Sequence, residues 1–156
     1  MGMGSLSQEP FCAEGARDEL QRPEHRRTAT SGRLTTQQRA VVRMARAKWA
    51  EDLVADFYRR DGYRIIARNW RCRQGELDIV AFLISDMVPT IVVVEVRARA
   101  TDYFGSPLES VTHAKQKKLR IATRKFLTNE SCVYSAVRFD VVSVLGTKIE
   151  VVQNAF

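Results

Sequence analysis

A run of β-branched residues at positions 91–98 constrains the fold of this chain more than any other feature. The run reads Ile-Val-Val-Val-Glu-Val-Arg-Ala, with five β-branched residues among the first six. This composition is typical of a central strand that is buried on both faces. Because side chains alternate along a strand, Glu95 shares a face with Val93 and Arg97. A buried carboxylate is costly unless it is paired or bound to a metal.

The preceding segment supplies a second carboxylate in an unusual place. Residues 76–83 predict a strand, and the Pro89-containing loop at 86–90 makes it a hairpin neighbour of the first. Aspartate is disfavoured inside strands, yet Asp78 lies within this one, on the predicted face of Glu76 and Val80. Neighbouring strands would bring Asp78 close to Glu95, where each carboxylate raises the pKa of the other. A hard cation, Mg²⁺ or Mn²⁺, removes that conflict, and an ordinary salt bridge to arginine is the alternative.

The remaining elements predict an α/β domain with a mixed sheet. Thr35 and Gln38 form a capping box that starts a helix reaching residue 60. Its predicted core stripe has helical spacing and consists of Val42, Ala45, Trp49, Leu53 and Phe57. A strand at 63–67 precedes the hairpin. A second helix at 110–127 and strands at 137–145 and 149–152 follow it. Asp140, in the first of these strands, is expected to pair with Arg138 or Lys148.

The N-terminal segment differs in composition from the rest. Residues 1–33 are rich in Gly, Ser, Thr, Arg and Glu without a clear apolar period, which predicts a disordered or weakly ordered extension. A single domain is then expected over residues 34–156. The three cysteines, Cys12, Cys72 and Cys132, lack zinc-ligand spacing and suggest reduced thiols. Because no apolar segment is long enough for a membrane span, a cytoplasmic protein without membrane contact is expected.

The formal charge of +7 favours a polyanionic partner, and several basic residues are candidates to bind it. In the second helix, Lys115 lies on the stripe formed by Val111, Leu119, Ala122 and Phe126, which points it towards the sheet. A lysine whose stem covers apolar surface is the alternative. The candidates for phosphate-backbone contact are Arg71, Arg73, Arg99, Lys117, Lys118, Arg120 and Arg124. Trp70 is a candidate for base stacking. A solvated charged face and a solvent-exposed turn are the alternatives.

Several motifs in order give the chain a family resemblance. They are Ala50-Glu51, Asp61-Gly62-Tyr63, Arg68-Asn69, GELDIV at 75–80, VEVRAR at 94–99, Phe104-Gly105, Lys115 and residues 138–142. The pair GELD and VEVRAR resembles the D…ExK core of restriction-endonuclease-like nucleases. More narrowly, residues 47–156 resemble the YraN-like family of bacterial proteins, which is related to Holliday-junction resolvases.

The resemblance implies a mixed central sheet flanked by helices and a metal site at Asp78 and Glu95. It further implies the carbonyl of Val96 as a ligand and Glu51 as a nearby carboxylate, with a solvated helix glutamate as the alternative for Glu51. The chain departs from the nuclease pattern at Arg97, where lysine is usual. Arginine stays protonated and cannot act as a base, although it can hold a phosphate oxygen. Lys115 is the candidate that compensates.

Three functions are compatible with these features. The first is a metal-dependent nuclease acting on DNA, with branched DNA as a candidate substrate. The second is a nucleic-acid-binding domain that retains the nuclease fold without catalysis, as Arg97 permits. The third is a protein-interaction domain in which Glu95 is fully salt-bridged. A homodimer is expected if the chain cuts two strands as resolvase-like enzymes do.

Overall fold

Five strands form one mixed sheet, and a helix lies on each of its faces. The computed structural model describes residues 33–100, 111–130 and 133–156. The expectations for residues 1–32, Phe104-Gly105 and Cys132 lie outside the described residues. In chain order the elements are α1 (Thr36–Arg60), β1 (Arg64–Cys72), β2 (Gly75–Ser85), β3 (Val88–Arg99), α2 (His113–Asn129), β4 (Ala136–Leu145) and β5 (Lys148–Val152).

The sheet order β1-β2-β3-β4-β5 confirms the predicted α/β class. Strands β1, β2 and β3 form an antiparallel meander, β3 and β4 are parallel, and β5 returns antiparallel to β4. The predicted central strand is therefore the third of five and pairs on both edges. Parallel pairing aligns Glu95 with Val141 and Val94 with Asp140, a register that places two buried carboxylates one residue apart on neighbouring strands.

The alternation in β3 divides the core into two layers as predicted. Val92 and Val94 pack with α1 on one face, together with Val142 of β4. Ile91 and Val93 pack with α2 on the other face. The predicted stripe of α2 is confirmed, since Val111, Leu119, Ala122 and Phe126 are all buried. Both faces of β3 are covered, which explains the absence of a polar face in its sequence.

The predicted core stripe of α1 is wrong in its first half. Thr35 caps the helix in the expected capping box, but Val42 and Trp49 are each 44% exposed. The fully buried residues are Ala50, Val54, Ala55 and Tyr58, while Leu53 and Phe57 pack at the margin. The helix is longer than the surface that covers it, because only its C-terminal half crosses the sheet.

Three element boundaries differ from the sequence expectation. Strand β1 extends to Cys72, and the hairpin turn falls on Arg73 and Gln74. The expected loop at 86–90 is only a two-residue turn at Asp86 and Met87, both with positive φ, as in a type I′ hairpin. Helix α2 begins at His113, capped by Thr112, and ends at Asn129. No helix in the described part of the chain is long and apolar enough to cross a membrane.

Candidate functional site

Glu95 is a buried carboxylate whose two oxygens have different surroundings. Its side chain is 3% exposed. Oε1 lies 3.1 Å from Lys115 Nζ and 3.4 Å from Arg97 Nη2. Oε2 is buried and accepts no hydrogen bond. Burial raises the pKa of Glu95, while the charges of Lys115 and Arg97 oppose the rise. The full salt-bridging that a purely structural role requires is met at one oxygen only.

Asp78 lies beside Glu95 and is held by the backbone of β3. Its Oδ2 accepts a hydrogen bond from the amide of Val96 at 2.9 Å. Burial raises the pKa of Asp78 to about 7, and the negative charge of Glu95 adds to the rise. The hairpin therefore brings the two carboxylates together as the sequence predicted. Each carboxylate makes ionisation of the other more costly.

The strand around Asp78 does not follow strict alternation. The predicted common face of Glu76, Asp78 and Val80 would place Leu77 on the opposite face, but Leu77 and Val80 pack in the same layer. Pairing of β2 with β3 stops at Ile79. In β1, Asn69 lies opposite Asp78 in the register and has a left-handed φ. The local distortion lets the Asp78 side chain replace a main-chain acceptor for Val96. Sequence periodicity carries no signal for such a break.

The other predicted site residues fall close to this pair. Lys115 emerges from α2 towards the sheet and pairs with Glu95, so it is more than a stem over apolar surface. Glu51 is half-buried on α1, and its charge contributes to the raised pKa of Asp78. Val96 contacts Asp78 through its amide, whereas the resemblance implied its carbonyl as a ligand. Among the described residues, no three His, Cys, Asp or Glu side chains group closely enough to hold a metal.

The candidate basic residues divide between two surfaces. Arg71, Arg73, Lys115 and Lys118 line one cleft between the β1–β2 turn and α2, with a volume of about 370 Å³. Lys117, Arg120 and Arg124 line a separate surface of α2 together with His113 and Ile121. The first cleft shares Lys115 with the carboxylate pair and is large enough for a nucleotide-sized group. Arg99 lies half-buried at the end of β3.

Two of the proposed contact residues are occupied within the protein. Trp70 packs edge-on against Phe126, with ring centroids 5.5 Å apart, and belongs to the α2 layer of the core. It is therefore partly buried against the core, and its stacking on bases stays a prediction. The guanidinium of Arg120 lies over the rings of Phe139 and Phe156, at 5.7 and 5.1 Å. Both aromatic contacts anchor α2 to the sheet.

The pair formed by Asp78 and Glu95 fits a hard divalent cation. It offers oxygen donors, one of them buried without a partner, and it raises the pKa of both carboxyl groups in the absence of a cation. Mg²⁺ needs only one or two carboxylates, because water and a phosphate oxygen complete its octahedral shell. The missing third acidic ligand therefore does not exclude it. Lys115 and Arg97 balance the negative charge of Glu95, so the site does not repel an anionic ligand.

Fold and site together define a class: a small α/β protein with a paired-carboxylate centre beside a basic cleft. The model of the uncharacterised protein family UPF0102 matches residues 50–144, and the chain belongs to that family. This confirms the YraN-like resemblance, because the two names denote one family. A UPF0102 protein of Acidothermus cellulolyticus is 45% identical over 132 residues, covering 75% of this chain and 97% of its own length. One of Ralstonia nicotianae is 42% identical over 110 residues, covering 69% and 82%.

The family match covers the site and the core around it. Residues 50–144 contain Glu51, Asp78, Glu95, Arg97 and Lys115. They leave out residues 36–49, the exposed first half of α1.

Proposed function

We propose that this chain is a metal-dependent nuclease that acts on DNA, with Asp78 and Glu95 holding Mg²⁺ or Mn²⁺. The observation that carries the proposal is the buried Oε2 of Glu95, which lacks a hydrogen-bond partner beside a second carboxylate of raised pKa. Paired carboxylates at the end of a central strand, in a mixed sheet between helices, also support a restriction-endonuclease-like fold. A bound cation would supply an activated water and charge stabilisation at the phosphate.

The residues of the chain have distinct parts in this proposal. The Val96 amide fixes one oxygen of Asp78 and so orients that carboxylate towards a ligand. Lys115 Nζ lies 3.1 Å from Glu95 Oε1. Its ammonium can bind a phosphate oxygen instead once a cation neutralises the carboxylate. Arg97 stabilises negative charge that develops on the phosphate. Arg71, Arg73 and Lys118 hold the flanking backbone in the cleft.

A second candidate function is nucleic-acid binding without cleavage. It is favoured by Arg97 in place of the usual lysine, because arginine cannot accept a proton from water. It is also compatible with the Lys115–Glu95 ion pair, which partly neutralises Glu95 without a metal. Both candidates share the basic cleft. They differ in whether the carboxylate pair binds a cation productively.

The test is cleavage of labelled single-stranded, duplex, flapped and four-way-junction DNA with Mg²⁺, with Mn²⁺ and with chelator. Glu95→Gln and Asp78→Asn should each abolish the metal-dependent cut while the circular-dichroism spectrum stays native. Asp140→Asn is unsuitable as a control because Asp140 is fully buried and, as predicted, pairs with Arg138. Glu150→Gln removes an exposed carboxylate of β5 and should leave the cut unchanged.

The outcomes separate the two candidates. Cleavage that needs both the metal and Glu95 supports the nuclease, and the preferred DNA identifies its substrate. Binding without cleavage, unchanged by Arg97→Lys, supports the second candidate. Cleavage that appears only in Arg97→Lys would show that the site is intact but lacks a base.

A further inference from the structure

The first half of α1 projects from the domain as a charged arm. Residues 36–49 are almost entirely exposed, and burial begins abruptly at Ala50. This segment, called the α1 arm below, contains no acidic residue and four basic ones, Arg39, Arg43, Arg46 and Lys48. Basic side chains on a helical segment without acidic residues form no ion pairs within that segment, and they repel one another. Its charge therefore suits a polyanion.

The three arginines lie on one line of the helix. They are spaced four and three residues apart, and the next positions at intervals of four are Ala50 and Val54. Ala50 and Val54 are fully buried against the α1 face of the sheet. The sheet-facing side of the helix thus changes from apolar residues to arginines where the sheet ends. The three arginines therefore lie on the side of α1 that faces the sheet further along the helix. The exposed Val42 and Trp49 lie off this line of the helix.

These arginines are uncommitted. Within the described residues, none of the three forms an ion pair, whereas the neighbouring Lys48 pairs with Asp52 at 3.3 Å. Guanidinium groups hold phosphate oxygens through paired hydrogen bonds, and a helical row of them can follow one backbone.

The α1 arm leads into Glu51, whose charge contributes to the raised pKa of Asp78. Tyr58 donates a hydrogen bond to Asp140, which pairs with Val94 in the sheet. Glu51 lies earlier in α1, and Asp78, which its charge affects, accepts a hydrogen bond from the Val96 amide. Helix α1 therefore runs opposite to β3, and the arm extends past the end of β3 that carries the site. Arg39 precedes Glu51 by 12 residues, which is about 18 Å at 1.5 Å per residue. This length matches about five base pairs of duplex at 3.4 Å each.

We propose that the α1 arm is a nucleic-acid-binding element, in which Arg39, Arg43 and Arg46 hold the phosphate backbone that continues beyond the carboxylate centre. The inference rests on the proposed function for its ligand, but it does not require cleavage. It adds a third basic surface to the two on either side of α2. It also explains why the exposed half of a long helix carries arginine on its sheet-facing line.

The test compares three triple variants with the unaltered chain, all in chelator so that no DNA is cut. Arg39, Arg43 and Arg46 are changed to glutamine in the first variant and to lysine in the second. The third variant is a charge-matched control with glutamine at Arg60, Arg64 and Lys148, exposed cations at the other end of α1, in β1 and in β5. Affinity for a labelled duplex is measured between about 50 and 200 mM salt.

The glutamine arm variant should bind the duplex at least tenfold more weakly. Its slope of log affinity against log salt should be shallower by about 0.9 for each phosphate that the arm no longer neutralises. The lysine variant should keep most of the slope, and the control should keep all of it. An arm variant that matches the unaltered chain in affinity and slope would overturn the proposal. So would an arm variant that binds normally but no longer dimerises in sedimentation, because the arm would then be a self-association surface.

Failure of the arm and failure of the nuclease are separable. Normal metal-dependent cleavage with an unchanged salt slope in the arm variant would reject the arm alone. A salt slope that depends on the arm, in a chain that never cuts DNA, would reject the nuclease alone. A chain that binds no nucleic acid at any salt would reject the arm.

Discussion

Two buried carboxylates lie one residue apart on neighbouring strands and on opposite faces of the sheet, and they differ in how well they are satisfied. Asp140 is fully buried on the α1 face and accepts four hydrogen bonds. Two come from Arg138, one from the Tyr58 hydroxyl at 2.9 Å and one from the Asn154 amide at 3.0 Å. Arg138 in turn donates to Tyr63. Glu95, on the α2 face, has two cations on one oxygen and nothing on the other.

The contrast separates a carboxylate whose hydrogen-bonding capacity is filled from one whose capacity is partly open. Every lone pair that the fold can reach is used at Asp140, so the network has no place for a ligand and stabilises the packing of α1 on β4. At Glu95 and Asp78 the fold has brought two acids together and left part of their hydrogen-bonding capacity open. Such an arrangement costs stability unless a ligand completes it.

The largest expected effect is a difference in the free energy of unfolding between variants of Asp140 and Glu95. Asp140→Asn removes the charge that pairs with Arg138 and should lower the free energy of unfolding by about 3–5 kcal/mol, as for other broken buried ion pairs. Glu95→Gln removes a carboxylate that is costly to ionise and should change the free energy by less than about 1 kcal/mol without metal. Urea unfolding at pH 7 with chelator measures both. Equal decreases would mean that Glu95 is as structural as Asp140.

The next effect comes from the cation. Mg²⁺ or Mn²⁺ at a hundred times its dissociation constant should stabilise the unaltered chain by about 2.7 kcal/mol, because it binds only the folded state. Asp78→Asn and Glu95→Gln should abolish this rise in melting temperature. Glu150→Gln should keep it, since that carboxylate is exposed on β5. A rise that persists in both site variants would place the cation elsewhere.

The smallest effect is a pH dependence with a definite sign. The pKa of Asp78 is raised from 3.8 to about 7, so the folded chain holds more protons than the unfolded chain between these values. Stability without metal should therefore fall as the pH rises from about 4 to 7. Asp78→Asn should flatten this part of the curve, measured as melting temperature against pH. A dependence that is unchanged in the variant would assign the titration to another group.

Much of the fold follows from the sequence because its signals are periodic. The β-branched run of β3, its position between two layers and the burial pattern of α2 are confirmed as predicted. The spacing of Lys115 on the α2 stripe also predicted its direction towards the sheet, where its ammonium lies 3.1 Å from Glu95. These features depend on local alternation and on burial of one face, which residue spacing alone encodes.

The errors arise where local pattern and tertiary surroundings differ. Val42 and Trp49 continue the apolar spacing of α1, but no sheet lies beneath that half of the helix. The charged row of Arg39, Arg43 and Arg46 gave no signal, because its meaning depends on where the sheet ends.

The sequence by itself determined the class of fold and the two faces of the central strand, which strand alternation fixes locally, and a hairpin between adjacent strands predicted the proximity of Asp78 and Glu95. The pairing of Asp140 with Arg138 was predicted, but only the tertiary structure decided how completely each buried carboxylate is satisfied. Asp140 and Glu95 are each followed by valine in an apolar strand, and only contacts from distant elements distinguish them. Tyr58 and Asn154 complete the hydrogen bonding of Asp140, whereas Lys115 contacts only one oxygen of Glu95. Hydrogen-bond satisfaction depends on three-dimensional proximity, which residue spacing does not contain.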